Sequence, residues 1–287
     1  YRSLVESTSA IVWRGDPGEP RFTYVSPEAE TLLGYPAGRW TSEPDFWIDH
    51  IHPEDRDRVA ECRARATAEQ HRHTVDYRMI AADDRIVWLR DVASVLGDNG
   101  EPSALVGVMI DITGPKEAER AATHLSGLQR ILVEQSRGMV AADAATLDAT
   151  LTRTLARIGE YCGVDRSYLV RLREAGTSLT VTHEWCSPAT PPLLGAMVRR
   201  PAGTVPMLMR HMRAGSPLHI PRVAGLDEAW RHERRAFDRQ GGVRSFVAVP
   251  MIVEDSVHGY IGFDTLGAER TWSDDEIRLL QGLAEGI

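Results

Sequence analysis

Two histidine pairs, His50-x-His52 and His71-x-His73, have the spacing with which neighbouring imidazoles on one strand face can ligate a metal. No Cys or third His stands suitably close to complete either set, so each pair reads as a satisfied turn or a solvated strand end. No metal site is expected. The run Arg231-His232-Glu233-Arg234-Arg235 is dense enough in cations to hold phosphate, but Asp227, Glu228, Glu233 and Asp238 interleave with it. That pattern describes a solvated helix with i,i+4 ion pairs. Gly262 and Gly267 are not followed by G-K-[ST], so they form no phosphate loop. No Ser-His-Asp order occurs, and no paired carboxylates sit in a strained turn. No catalytic residues are expected. Cys62, Cys162 and Cys186 lie far apart with no C-x-x-C, which fits free thiols in a reducing cytoplasm.

Composition narrows the classes further. The chain has 287 residues, 43% hydrophobic and 26% charged, which is long enough for two soluble domains. The formal net charge is -8 and no basic block stands alone, which argues against nucleic acid as a partner. No window of about 18 apolar residues occurs, so no membrane segment is expected.

The elements that must position any site follow from local pattern. Ile11-Val12-Trp13 and Arg21 to Val25 read as strands around Gly15-Asp16-Pro17-Gly18 turn chemistry. Ser26-Pro27-Glu28 starts a short helix that Gly34 closes, and Pro53 opens another helix running to about Gln70. Thr74 to Ile80, Arg85 to Leu96 and Ser103 to Ile112 read as antiparallel strands, with turns at Asp83-Asp84 and Asp98-Asn99-Gly100. From Pro115, Ala118, Ala121, Leu125, Leu128, Leu132, Gln135 and Met139 step 3-4-3-4-3-4, a heptad seam. The alternative is one amphipathic helix packed on its own domain. The second half repeats the architecture: a helix on Leu147, Leu151, Leu155 and Ile158, strands Arg166 to Leu172 and Leu179 to Trp185, then a Pro-rich loop from Ser187. A helical stretch Val205 to Met212, a short strand Leu218 to Pro221 and a charged helix Asp227 to Arg239 follow. Strands Ser245 to Val253 and Gly259 to Leu266 complete it. Ser273 and Glu276 form an S-x-x-E capping box, after which Ile277, Leu280, Ala284 and Ile287 step 3-4-3. That seam is still running at the last residue, and the expectation is an excised piece of a longer protein.

These residues carry two resemblances. Tyr24-Val25-Ser26-Pro27, Leu33-Gly34-Tyr35, Ile51-His52-Pro53-Glu54-Asp55, Tyr77-Arg78-Met79, Val87-Trp88 and Asp111-Ile112-Thr113 resemble a PAS domain over roughly residues 1 to 114. Asp84 stands where that family usually has a turn Gly, and Asp tolerates positive φ. Asp165-Arg166-Ser167-Tyr168, Thr182-His183-Glu184-Trp185-Cys186, Val243-Arg244-Ser245-Phe246, Val249-Pro250-Met251, the stretch Gly259 to Asp264 and Trp272 resemble a GAF domain over about 128 to 287. The resemblance implies a sensory tandem upstream of a histidine kinase, a GGDEF cyclase or a serine phosphatase.

The expected architecture is α+β in two domains, each a central antiparallel sheet with helices, joined by a long linker helix. The boundaries are 1–114 for the PAS sensor, 115–140 for the linker, 141–272 for the GAF sensor and 273–287 for a C-terminal signalling helix. The sheets are five-stranded in the first domain and five- to six-stranded in the second. Small-molecule pockets would lie between each sheet and its helices. The first would be lined by Trp13, Tyr24, Trp47, Tyr77, Met79, Trp88 and Val108. The second would be lined by Tyr168, His183, Trp185, Met209, Trp230, Phe246, Val249 and Phe263, an aromatic ring with one His suited to a planar ligand. The same side chains filling ordinary cores is the alternative. Flavin chemistry in the PAS family needs Cys in N-C-R, whereas Cys62 sits in Glu61-Cys62-Arg63. Haem needs an axial His in the central helix, and His50 and His52 precede it. Cys186 is not placed for a bilin thioether, and the N-K-F-D-E signature of cyclic-nucleotide GAF domains is absent. The cofactor is thus left unnamed, with flavin, haem and bilin argued against. The expected partner is a second copy of the chain. Its seam would be Leu125, Leu128, Leu132, Met139, Ile277, Leu280 and Ala284, relaying a ligand-driven population shift to an output domain beyond this sequence. A ligand-free dimerisation scaffold is the rival reading.

Overall fold

The computed structural model describes residues 10–19, 21–69, 71–98, 101–143 and 145–286. Expectations at Gln70, Asn99, Gly100 and Ile287 fall outside them. The chain divides into two compact units, residues 1–121 and 122–287.

In the first unit, β1 (Ala10–Gly15) and β2 (Phe22–Val25) precede four short or medium helices: α1 (Glu28–Leu33), α2 (Ala37–Ser42), α3 (Phe46–His50) and α4 (Arg56–Glu69). Then come β3 (His73–Ile80), β4 (Ile86–Asp98) and β5 (Glu101–Asp111). The five-stranded sheet runs β2-β1-β5-β4-β3, antiparallel throughout. Gly34 stops α1 at a φ of 76°, and Asp84 takes the turn before β4 at a φ of 63°, a conformation Asp adopts more readily than most residues. Asp55 anchors β3 by accepting from the backbone and guanidinium of Arg78 at 3.0 and 2.8 Å. Those bonds hold its carboxyl down at about 2.

The strands bury alternate residues. Val75, Tyr77 and Met79 of β3 and Val87, Leu89 and Ala93 of β4 face the helices and pack with Trp40, Phe46 and Trp47. Tyr24, Trp88 and Val108 lie on the opposite face, so the structure corrects their assignment to an interior pocket. Val108 pairs with Val12 and Val92 on that outer phase. Tyr24 is exposed, and Trp88 is half-buried under the cations of Arg78, Lys116 and Arg120.

A helix of 29 residues, α5 (Thr113–Ala141), follows. The second unit continues with α6 (Leu147–Cys162), β6 (Arg166–Arg173), β7 (Ser178–Cys186), β8 (Arg200–Pro201), α7 (Pro206–Arg213), β9 (Leu218–Ile220), α8 (Arg231–Arg239), β10 (Ser245–Val253), β11 (Ser256–Thr265) and α9 (Asp274–Ala284). Its six strands are ordered β8-β7-β6-β11-β10-β9. The two-residue β8, inside the Pro-rich loop, was too short to give a sequence pattern. The charged helix starts later than expected, after a 3-10 turn at Glu228–Trp230.

This sheet is covered on both faces. On one, Leu169, Val247, Val249, Ile261 and Phe263 pack against α6, α9 and the later part of α5. On the other, Tyr168, Val170, Phe246, Ala248 and Tyr260 pack against α7, α8 and the loop through Leu193 and Met197. The expected dimer seam is corrected here. Leu128, Leu132, Met139, Ile277, Leu280 and Ala284 are all buried in the unit's own core, and Leu125 is half-buried. Even Gln135 turns inward, accepting from Thr154 Oγ1 at 3.0 Å. A 3-4 spacing records a covered stripe, and the cover is this domain's own sheet and helices.

Candidate functional site

The inner face of the first sheet is aromatic with few polar anchors. Trp13 Nε1–H donates to Asp91 Oδ1 at 2.9 Å, and Trp47 Nε1–H donates to the Tyr77 hydroxyl at 3.0 Å, both bonds buried. Phe22 sets its edges against Trp13, Trp40 and Trp47 at 5.2, 5.7 and 5.7 Å between ring centres. Gly107 is required beneath this stack, since a Cβ there would come within 2.6 Å of the Trp13 ring. An enclosed space among Trp13, Phe22, Trp47, Arg63, His73 and Asp91 measures about 10 Å³. That is near the size of one water. Three of the seven sequence candidates, Trp47, Tyr77 and Met79, thus pack beside Trp13 as core.

Asp91 and its neighbours are the polar feature of this interior. Burial pushes the Asp91 carboxyl up to about 7, against the Trp13 bond and the Arg63 charge that pull it down. Burial, then Arg63, lowers the pKa of His73, whose Nδ1 has no partner among the described residues. Arg63 donates to the Asp16 and Glu19 carbonyls at 2.7 and 2.5 Å and lies over Trp47 at 5.6 Å. Just outside, Pro17, Gly18, Trp47, Ile48 and Arg63 border a groove of about 190 Å³. Asp91 carried a readable signal: it occupies the inward phase of β4 between Leu89 and Ala93.

The histidine pairs separate. His50 bonds the Phe46 carbonyl at 2.6 Å, His52 accepts from Glu54 N–H, His71 faces Glu69 at 3.3 Å, and His73 points inward. Among the described residues, no group of three or more potential ligands converges.

The eight candidates of the second unit fall on both faces of its sheet, which corrects their grouping as one pocket. Tyr168, Met209 and Phe246 lie on the α7–α8 side, and Trp230 packs at its margin. Val249 and Phe263 lie on the α6–α9 side. His183 and Trp185 belong there too: His183 Nε2 is 3.1 Å from Asp148 of α6, and Trp185 fills the space over Gly159. The physical reason is the period of two along each strand.

Sequence reading missed what the α7–α8 face holds. Arg166 and Asp264, directly paired across β6 and β11, are both fully buried. Arg166 Nε–H donates to Asp264 Oδ2 at 2.9 Å and the Tyr168 hydroxyl donates to Oδ1 at 3.0 Å. Arg166 Nη1 also reaches the carbonyls of Pro191 and Gln240, at 2.8 and 3.3 Å. Glu184 accepts from the backbone N–H of Leu193 and Leu194 at 2.7 and 2.8 Å. The Pro-rich loop is thus pinned to the sheet by buried charge. Inward-phase Arg and Asp on neighbouring strands were the available signal. Burial, then Glu184, pushes the Cys186 thiol up to about 12.

The third arrangement joins helices. His124 of α5 sits 3.0 Å from Glu276 of α9 and stacks on Tyr161 of α6 at 5.1 Å. Glu276 completes the Ser273 capping box and also receives Arg270 Nη2 at 2.8 Å.

A five-stranded 2-1-5-4-3 sheet with helices on its inner face, followed by a six-stranded sheet covered on both faces, defines two α+β domains in tandem. Residues 22–109 match the family model described as the PAS fold, and residues 146–287 the one described as the GAF domain. The chain is a PAS unit followed by a GAF unit. It is similar to the methanogenesis regulatory histidine kinase FilI of Methanothrix harundinacea, 26% identical over all of this chain and 32% of that protein. It is also similar to the two-component sensor PprA of Pseudomonas aeruginosa, 28% identical over 54% of this chain and 17% of that protein. The chain therefore spans a third or less of these relatives. A solved N-terminal domain of a diguanylate cyclase with PAS/PAC sensor from Marinobacter aquaeolei is 37% identical, covers 37% of this chain and 98% of its own, and has a TM-score of 0.35. Among the described residues, no helix is long and apolar enough to cross a membrane.

Proposed function

We propose that this chain is the sensing and relay segment of a signalling protein whose output domain is a histidine kinase or a related enzyme. In this reading residues 1–114 and 141–272 are the PAS and GAF sensors. Residues 115–140 and 273–287 carry the signal as helices, in the cytoplasm and as part of a dimer. The observation that carries the reading is the joint between helices: α5, which continues from the last PAS strand, meets α9 through His124–Glu276. Both share one core through Leu128 and Leu280. A change in packing on the α6–α9 face of the GAF sheet bears directly on these helices, so it shifts their relative populations. The similarity to sensor kinases supports the same direction.

The test fuses residues 1–287 to a histidine-kinase core and compares autophosphorylation in the parent and in Glu276→Gln. A several-fold change in output supports the relay. Equal output, with both proteins folded, rejects it. A scaffold role for the PAS unit is favoured by its interior, where its own aromatic side chains border an enclosed space of about 10 Å³.

A further inference from the structure

The GAF unit carries a groove of about 580 Å³ beside β8, within the size range of small-molecule sites. Pro191, Pro192, Leu193, Met197 and Val198 form an apolar wall, while Arg199, Arg200 and Arg239 supply cations and no carboxylate lines it. Arg199 is paired with Glu174 at 3.7 Å. Arg200 has only a neutral side-chain partner, donating Nε–H to Thr204 Oγ1 at 3.1 Å, and Arg239 makes no ion pair among the described residues. Burial, then the Arg239 charge, lowers the pKa of Arg200.

The wall is built in advance. Arg166, fixed by Asp264, holds the Pro191 and Gln240 carbonyls from behind, and Glu184 holds the Leu193 N–H. Gln240, which also lines the groove, keeps a buried Oε1 without a partner among the described residues. A groove with a fixed apolar wall and two uncompensated guanidiniums selects a molecule with an apolar body and an anionic end.

We propose that this groove binds a small organic anion, a carboxylate or phosphate on an apolar or aromatic body, with Arg200 and Arg239 clamping the anionic group. This deepens the sensory reading of the GAF unit and rests on it for its purpose, although binding is measured without any output.

The experiment titrates phenyl phosphate and benzoate into the 287-residue chain by calorimetry and amide NMR, with phenol and inorganic phosphate as the neutral and bodiless controls. Saturable binding of phenyl phosphate or benzoate at millimolar or lower concentration is expected, at least tenfold tighter than either control, and the tighter of the two names the anionic group. Arg200→Gln with Arg239→Gln should weaken it at least tenfold with an unchanged unfolding midpoint, while Arg231→Gln, outside the groove, leaves it intact. Binding that survives the double substitution, or no binding by either probe, overturns the proposal. A failed titration leaves the helix relay standing, and a silent kinase fusion leaves the groove standing.

Discussion

His124 Nε2 lies 3.0 Å from Glu276 Oε1, and the same carboxylate caps α9 and receives Arg270. One side chain therefore ties the start of the outgoing helix to the incoming one. Tyr161 fixes the other half of the joint, stacking on the imidazole and donating its hydroxyl to the His124 carbonyl at 2.9 Å. Burial raises the Glu276 carboxyl, but the Ser273 backbone N–H, Arg270 and His124 outweigh it and leave the pKa below the ordinary value of 4.5.

Glu276→Ala should destabilise the GAF unit by about 2–3 kcal/mol. The capping loss contributes about 1 kcal/mol and the unpaired Arg270 and His124 the remainder. A carboxyl with a depressed folded pKa stabilises fully above its unfolded value, so the effect of the substitution should be present at neutral pH and fade below pH 4.5. Urea unfolding at pH 7 and pH 3.5 measures both. A double-mutant cycle with His124→Ala should show a coupling of roughly 0.5–1.5 kcal/mol, and zero coupling would remove the joint from the mechanism.

Leu128→Asp and Leu132→Asp distinguish a dimer seam from a domain core. Leu128 is 0% exposed and Leu132 6%, both packed within the unit. A carboxylate at either place is buried without a partner, which costs several kcal/mol. The thermal midpoint should fall by roughly 10 °C or more, with loss of near-UV ellipticity. A well-folded monomer with an unchanged midpoint, seen by light scattering and calorimetry, would return the seam to a partner chain.

Much of the fold was legible because its signals are local. Gly34, Asp84, the Ser273–Glu276 box and the two turn-bounded strand sets each announce themselves over a few residues. The sites were less so. Ser245 to Val253 is apolar nearly throughout because helices cover both sheet faces, so no polar phase separates Phe246 from Val249. The 3-4 spacing of Leu128 and Leu132 states that a stripe is covered and not by what. Arg200 and Arg239 are far apart in sequence and meet only through β8 and α8.

Asp91 should make the stability of the PAS unit depend on pH. Its folded carboxyl is pushed up to about 7, while an unfolded one titrates near 3.8. Between these values the unfolded chain ionises and the folded one keeps its proton, so stability falls as pH rises from about 4 to about 7 and the full cost holds above. The difference corresponds to roughly 4 kcal/mol. Asp91→Asn keeps an acceptor for Trp13 and should remove that fall, becoming more stable than the parent at pH 8 and near parity at pH 4. Denaturant midpoints across this range test it, and parallel curves for the two proteins would exclude Asp91 as the source.

Arg166 and Asp264 should be strongly coupled, since each is fully buried and is the other's charge partner. Removing one leaves the other charge uncompensated in the sheet. Asp264→Ala should therefore cost about 3–5 kcal/mol, whereas Arg166→Met with Asp264→Leu should recover part of that loss because an apolar pair needs no compensation. The double variant still lacks the Arg166 bonds to the Pro191 and Gln240 carbonyls, so its groove wall loosens even where stability returns. Limited proteolysis, with each protein held equally far below its own unfolding midpoint, should then cut between Ser187 and Arg199 faster than in the parent. An unchanged cleavage rate would mean that Glu184 alone holds the loop.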